Sequence, residues 1–299
     1  MYDIIVVGGG PAGMTAALYA LRNGKSALVL GKNGFGGQIT YSPKVENFPG
    51  TLSMSGNEFA EHFLDQILTQ GAEVDYDCVT EVVCDGKRKI VRTEMGSEHE
   101  AKAVILATGV KHRLLGLEGE TSFVGDGISF CAVCDGDFYK GQTVAVAGGG
   151  NSALQEAILL SGKCKKVIML QDLPSFTGEQ RLQDILFAKD NVEAYTNVKI
   201  LGILKDEQGR FAGVNTNQGD FPCDGLFEAI GLIPENEPFE GLADLNKFGY
   251  FDSGEDCCTR TPGVFVAGDC RSKTVRQLTT AVSDGAAAAI AACRYIDSL

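Results

Sequence analysis

Two stretches of this chain repeat one arrangement: an apolar strand, a run of three glycines, then a helix rich in small and apolar residues. In the first, residues 3–7 (DIIVV) lead into Gly8-Gly9-Gly10-Pro11-Ala12-Gly13 and a helix predicted to about Asn23. In the second, residues 143–147 (TVAVA) lead into Gly148-Gly149-Gly150-Asn151-Ser152-Ala153 and a helix predicted to about Ser161. A further apolar strand follows each, at 26–30 and 167–170. This is the βαβ unit that binds dinucleotides, present twice. Its first glycine permits a tight turn, its second lets backbone approach a pyrophosphate, and its third position must be small so that helix packs on strand. The helix N-terminus then offers unpaired N–H groups and a partial positive charge to the anion.

Other runs extend the echo between the halves. Residues 103–109 (AVILATG) and 226–231 (LFEAIG) are each an apolar strand ending in a glycine turn. Residues 263–269 (GVFVAGD) form another strand, ending in an acid, and an alanine-rich helix is predicted over 280–296. The fold expected is α/β: two Rossmann-like, three-layer nucleotide-binding domains, the second inserted into the first. The chain order assigns 1–114 and 243–299 to one domain and 115–242 to the insertion.

The formal charge of −13 disfavours non-specific binding to nucleic acid or to anionic membranes. No apolar run reaches about 18 residues, the length needed to span a membrane. The first residues enter a strand with no basic n-region, so no export signal and a cytoplasmic setting are expected. The ten cysteines are therefore not expected to form a disulfide framework. Most lie in apolar runs and read as small buried hydrophobes. Only Cys131 and Cys134 stand as a C-x-x-C. Cys257-Cys258 has the wrong spacing for a second metal-binding pair and the three histidines are scattered, so no metal site is expected and the pair reads as redox-active.

In sequence order, GGGPAG at 8–13, GGQ at 36–38, ENFPG at 46–50, ATG at 107–109, CAVCDG at 131–136 and GGGNSA at 148–153 span the first half. AIGLIPE at 229–235, GVFVAGD at 263–269 and RQLTTA at 276–281 complete the series. With these motifs the chain resembles the low-molecular-weight thioredoxin reductase family of flavoproteins over essentially its whole length. The resemblance implies FAD in the first domain, with Gly8, Gly10, Pro11, Ala12 and Gly13 at the pyrophosphate. It places Gly36, Gly37, Gln38 and Asn47 along the flavin, Asp269 at the ribityl chain, and Arg276 and Gln277 near the isoalloxazine. It implies that Cys134 exchanges electrons with the flavin and Cys131 attacks the disulfide of thioredoxin. Asp135 then shuttles a proton to the leaving thiolate. It also implies a homodimer, and rotation of the inserted domain about its connections near 112–116 and 241–247.

One segment departs from the family. Members that use NADPH carry His-Arg-Arg and a further arginine after the second βα unit, and these hold the 2′-phosphate. Here the four positions are Gln171, Asp172, Leu173 and Thr177. Losing several charge-assisted bonds would cost on the order of several kcal/mol, and Asp172 would repel the phosphate. Asp172 could instead accept the ribose hydroxyl of NADH. The favoured reading is that the nicotinamide site is abandoned and electrons arrive from reduced ferredoxin, as in the branch lacking those arginines. A ferredoxin–NADP reductase of related fold would leave Cys131 and Cys134 unexplained. A non-catalytic flavin and dithiol redox sensor is the rival outside enzymes. Ferredoxins are acidic, so docking would need a basic face, for which Lys111-His112-Arg113, Lys163-Lys165-Lys166 and Arg271-Lys273-Arg276 are candidates.

Overall fold

The computed structural model describes residues 1–32, 34–42 and 44–299. The chain divides into two compact units, Met1–Lys111 with Ile233–Leu299, and His112–Leu232. Among the described residues no helix is long and apolar enough to cross a membrane.

The first unit begins with β1 (Tyr2–Val7), α1 (Pro11–Arg22), β2 (Ala27–Leu30), α2 (Gly56–Thr69), β3 (Glu73–Asp75), β4 (Val79–Asp85), β5 (Arg88–Thr93) and β6 (Glu98–Leu106). Residues 4–7 are buried on both faces, as a central parallel strand requires. β1 runs parallel to β2, with Ile4 opposite Ala27, and parallel to β6, with Ile4 opposite Ala103. Pro11 opens α1 at a position where its missing N–H costs nothing. Ser55 and Glu58 start α2 with a reciprocal capping box.

The second unit contains β7 (Lys111–His112) at the first crossing, then β8 (Ile128–Ser129), α3 (Ala132–Asp135), β9 (Thr143–Ala147), α4 (Asn151–Ser161), β10 (Lys166–Leu170), α5 (Gln180–Phe187) and β11 (Val192–Tyr195). An antiparallel sheet of β12 (Ile200–Lys205), β13 (Phe211–Thr216) and β14 (Gly219–Pro222) follows, then β15 (Gly225–Glu228) and β16 (Leu232–Ile233) at the second crossing. The main sheet is parallel in the order β11-β10-β9-β15-β8. Its two faces bury separate apolar clusters, one around Val144, Leu154 and Phe227, the other around Ala145, Ile168 and Leu226.

The chain then returns to the first unit as β17 (Val264–Val266) and α6 (Leu278–Asp297). β6 changes neighbours along its length: its outer residues pair with β5, and its inner residues Val104, Ile105 and Leu106 pair in parallel with β17. The sheet order is β3-β2-β1-β6-β5-β4, with β17 branching from β6. The second crossing falls at 232/233, earlier than the 242/243 expected from sequence. Segment 233–242 belongs with the first unit because Asn236 is buried there. Its amide donates to Gly249 O and Cys270 O, and its Oδ1 accepts from Thr108.

A pair of acids lies beneath the crossings within the second unit. Glu120 is 2% exposed, and its carboxylate accepts from the backbone N–H groups of Leu115, Gly116 and Leu117 at 2.7–2.8 Å. Glu228, the last residue of β15, is 3% exposed, and neither of its oxygens meets a donor among the described residues. Burial pushes its carboxyl up to about 9, and the facing Glu120 adds to the shift. A neutral Glu228 relieves the repulsion between the two acids and can offer its O–H to Glu120. The pair clamps the segment entering the unit to the strand from which the chain leaves it.

Glu228 keeps its proton in the fold and loses it in the unfolded chain above the ordinary value of 4.5. Its stabilising contribution is whole below that pH. It declines by about 1.4 kcal/mol per pH unit towards pH 9, where it is spent. Glu228→Gln retains a donor without the titration. Urea unfolding between pH 5 and 9 should show a shallower loss of stability for the variant, with the variant ahead at alkaline pH; parallel curves would contradict the assignment.

Candidate functional site

In the first unit the glycine turn is built by close backbone approach. Gly8 sits at φ +117° and donates its N–H to Leu30 O at 2.8 Å. A Cβ on Gly13 would collide with Gly8 O, and one on Gly8 with Ala107 O. A Cβ on Gly10 would meet nothing within 4 Å, so the backbone at the start of α1 faces open space. Ala12 is buried, and a Cβ on Gly268 would lie 2.7 Å from its methyl. The turn before Asp269 is thereby set against the first turn of α1.

Of the remaining sequence-predicted residues of this unit, Gly36 and Gly37 lie on the same turn. Gly36 donates to Gly9 O at 2.8 Å, and Gly37, at φ +61°, lies so close to Gly10 that an added Cβ would stand 3.2 Å from its Cα. Gln38 donates to Val110 O. Asn47 donates to Gln277 Oε1 at 3.3 Å, and Gln277 is the N-cap of α6, its own N–H donating to Thr280 Oγ1. That cap starts α6 at Leu278, earlier than position 280 expected from sequence. Asp269 is the outstanding group. Its Oδ1 is buried with no partner among the described residues; burial raises its pKa, with Lys273 and Arg276 opposing.

Arg276 works as a clip. Its guanidinium donates to Asp269 O, Lys273 O and Arg271 O at 3.0–3.2 Å and lies over the Tyr250 ring at 4.1 Å. Beneath it, Asp284 of α6 accepts from Arg271 through two nitrogens, from Lys273 and from Gly268 N–H, all at 3.0 Å. Burial works to raise the Asp284 pKa, but Arg271 and Lys273 reverse this and hold it low. The sequence reading missed this network. A charged residue in the otherwise small-residue stretch of α6 was its only signal.

In the second unit Cys131 and Cys134 form a disulfide. Cys131 caps the short helix α3, and its sulfur accepts from Cys134 N–H at 3.2 Å. Asp135 N–H donates to Cys131 O at 2.9 Å. Ser129, which the sequence reading did not single out, joins both ends: its hydroxyl donates to Asp135 Oδ2 at 2.6 Å and accepts from Cys131 N–H at 3.2 Å. Burial raises the Asp135 carboxyl, with the Ser129 bond opposing. Phe130 is stacked on His112 with ring centroids 4.4 Å apart, and burial lowers the His112 pKa to about 4, so this ring is neutral. Val133 is 55% exposed, so the disulfide lies beside an accessible apolar side chain. Cys164, Cys223, Cys257, Cys270 and Cys293 are buried free thiols whose pKa values burial raises, which makes them poor nucleophiles.

The second glycine turn keeps the geometry of the first but not its surroundings. Gly148 has φ +123° and donates to Leu170 O. Thr177 and Gly178 donate to Gly149 O at 2.8 and 2.9 Å, and Gln171 is buried with its side chain against Gly149. Glu179 and Asn151, at the start of α4, exchange hydrogen bonds at 2.7 and 2.9 Å. Asp172 and Leu173 are exposed. The basic clusters considered for docking are largely spent within their own units. Lys163 pairs with Asp137, Lys166 with Glu193 and Lys111 with Glu235. Arg271 and Lys273 pair with Asp284, and Arg276 holds carbonyls.

A family model described as pyridine nucleotide-disulphide oxidoreductase matches residues 2–285. Thioredoxin reductase of Bacillus subtilis (strain 168) is 36% identical over 305 positions, which cover 100% of this chain and 96% of the relative. The 34.2 kDa protein in the rubredoxin operon of Clostridium pasteurianum is 38% identical over 299 positions, covering 98% and 97%. The crystal structure of thioredoxin reductase from Streptococcus pyogenes superposes with a TM-score of 0.93 at 36% identity, covering 100% of this chain and 99% of that one.

Asp284→Ala would leave the Arg271 guanidinium buried without its counter-charge. The expected loss is about 3–5 kcal/mol of stability in urea unfolding. Asp297→Ala, which removes an exposed partner of Lys25, should change it by less than about 1 kcal/mol. Equal effects would contradict the role given to Asp284.

Proposed function

The chain belongs to the thioredoxin reductases of the pyridine nucleotide-disulphide oxidoreductase family, and on that premise we propose that it reduces the disulfide of thioredoxin through Cys131 and Cys134. It is an FAD-binding flavoprotein. The residues of the first unit fit that group. The start of α1 opens at Gly10, the Gly36-Gly37 turn lies against it, and the unpartnered Asp269 Oδ1 is a buried acceptor awaiting a donor such as a ribityl hydroxyl. Gly8, Pro11, Ala12 and Gly13 would hold the pyrophosphate, and Gln38, Asn47, Arg276 and Gln277 would border the ring system. Bound FAD supplies a redox centre that accepts electrons singly or in pairs and delivers a pair to a disulfide.

The protein's own part is thiol–disulfide exchange. The reduced Cys131 sulfur attacks the substrate disulfide, forming a mixed disulfide, and Cys134 then attacks Cys131 to release the substrate as a dithiol. Asp135, held by Ser129 and raised by burial, protonates the departing sulfur. Exposed Val133 leaves one side of the pair open to a protein substrate.

For the electron source we favour a one-electron protein donor, reduced ferredoxin, over NADPH. The observation that carries this is the loop after β10. Gln171, Asp172, Leu173 and Thr177 stand where a histidine and three phosphate-binding arginines would be needed, and Glu179 adds a second acid at the start of α4. The internal pairing of the basic clusters means that donor docking would depend on surfaces other than those clusters. Exposed Asp172 favours NADH as the second reading, through a ribose hydroxyl. The same proposal takes the protein as a cytoplasmic homodimer.

Anaerobic absorbance in separate cuvettes decides the donor. Reduced ferredoxin should bleach the flavin and then yield thioredoxin thiols, whereas stoichiometric NADPH should leave the flavin oxidised. Rapid bleaching by NADPH would overturn the donor assignment, and bleaching by NADH alone would establish the second reading. Cys131→Ser should lower thioredoxin reduction by at least about 10³-fold while FAD remains bound; turnover near the parent rate would refute the exchange role.

A further inference from the structure

A second acid stands behind Asp135. Glu156 lies on α4, the helix against which α3 packs. Its Oε2 is buried with no hydrogen-bond partner among the described residues, and so is Oδ1 of Asp135, whose other oxygen is held by Ser129. Two carboxyl oxygens in one neighbourhood are thus left without donors. Such groups persist in a fold when a proton is shared between them or held on one. Burial pushes the Glu156 carboxyl up to about 8, and Asp135 is the charged group that adds to the shift. The other titratable or charged groups around α3 and its following turn are Tyr139, whose hydroxyl is itself raised by burial and by Asp135, and the Lys163–Asp137 pair, which neutralises itself.

We propose that Glu156 is a positioning residue for the disulfide exchange, acting through Asp135 as the reservoir for the proton that Asp135 gives and takes. The inference rests on the dithiol reading above. In the first exchange the Cys131 thiol gives up its proton to the carboxyl pair, a bond forms between Cys131 and one substrate sulfur, the substrate disulfide breaks, and the leaving sulfur takes a proton from Asp135. In the second, the Cys134 thiol gives its proton to the pair, the Cys131–Cys134 bond forms, the mixed disulfide breaks, and the second substrate sulfur is protonated. One electron pair and two protons pass from dithiol to substrate, and the carboxyl pair ends each exchange with the proton it began with. A lone ionised Asp135 has only the attacking thiol's proton to pass on; with Glu156 behind it, a proton is already in place when the leaving sulfur departs.

The test has two arms on the FAD-loaded protein. The first is an infrared pH titration of the oxidised parent, following the protonated-carboxyl band that Glu156→Gln removes. The band should titrate near pH 8, and in Asp135→Asn its midpoint should move to lower pH, because the charge that helps raise it is gone. A midpoint in the ordinary carboxylate range, or one unmoved in Asp135→Asn, would overturn the proposal. This arm can be read even if Glu156→Gln folds poorly, since the Asp135→Asn comparison locates the band. The second arm is single-turnover oxidation of the dithionite-reduced protein by thioredoxin. Glu156→Gln should be slower by about tenfold at pH 7, with partial recovery in Glu156→Asp. A rate equal to that of the parent from pH 6 to 9 would overturn the proposal. A parent protein that cannot oxidise its dithiol with thioredoxin at all would instead sink the disulfide-reductase reading, and the infrared arm distinguishes that failure.

Discussion

At Gly13 the first helix passes so close to the carbonyl of Gly8 that one added carbon would collide with it. That approach brings the N-terminal turn of α1 onto the end of β1, with open space beside Gly10 and unpaired N–H groups at the helix start. The rest of the first unit is arranged around this turn. The Gly36-Gly37 segment lies on Gly10, Gly268 lies on Ala12, and a Cβ at Gly285 of α6 would collide with Ala12 O. Asp269, Arg276 and Gln277 are then carried to the same place by the loop that Asp284 anchors. A site for an extended dinucleotide follows from one contact that only glycine allows.

The second copy of the turn shows what the geometry alone does not provide. Its φ at the first glycine is close to that of the first copy, and its strand is equally well buried. What lies over it differs. The first turn is met by glycines, the second by a loop of Gln171, Thr177 and Glu179. A carboxylate beside a helix N-terminus is stabilised by the same partial charge that would attract a phosphate. Backbone form is therefore retained where Gln171, Asp172, Leu173 and Thr177 bring no positive charge, and the donor proposal rests on that separation of fold from ligand chemistry.

The doubled βαβ unit, the parallel sheets and the C-x-x-C were legible in the sequence because each is written in local pattern: apolar runs of strand length, glycines at fixed spacing, cysteines a helical turn apart. Gly36, Gly37 and Gly268 lie against the first glycine turn, Gln38 bonds Val110, and Asn47 bonds Gln277. What the sequence did not disclose is where the acids stand relative to one another. Glu120 and Glu228 are far apart along the chain, as are Ser129 and Glu156 on either side of Asp135, and no periodicity announces a pair made by tertiary packing. Glu228 left a trace, as an acid inside an apolar strand run, and so did Asp284 in the small-residue stretch of α6. The partners of the basic clusters were hidden for the same reason. Adjacent lysines suggest a charged face, but Asp137, Glu193, Glu235 and Asp284 neutralise most of them in space.

On this reading the chain stores electrons in two places, on bound FAD and on the Cys131–Cys134 disulfide. Anaerobic reductive titration with dithionite, followed by flavin absorbance and thiol counting, tests it most directly. Each FAD-loaded chain should take up two electron pairs and gain two titratable thiols, and the double variant Cys131→Ser with Cys134→Ser should take up one pair. Uptake of a single pair by the parent, with no new thiols, would contradict it.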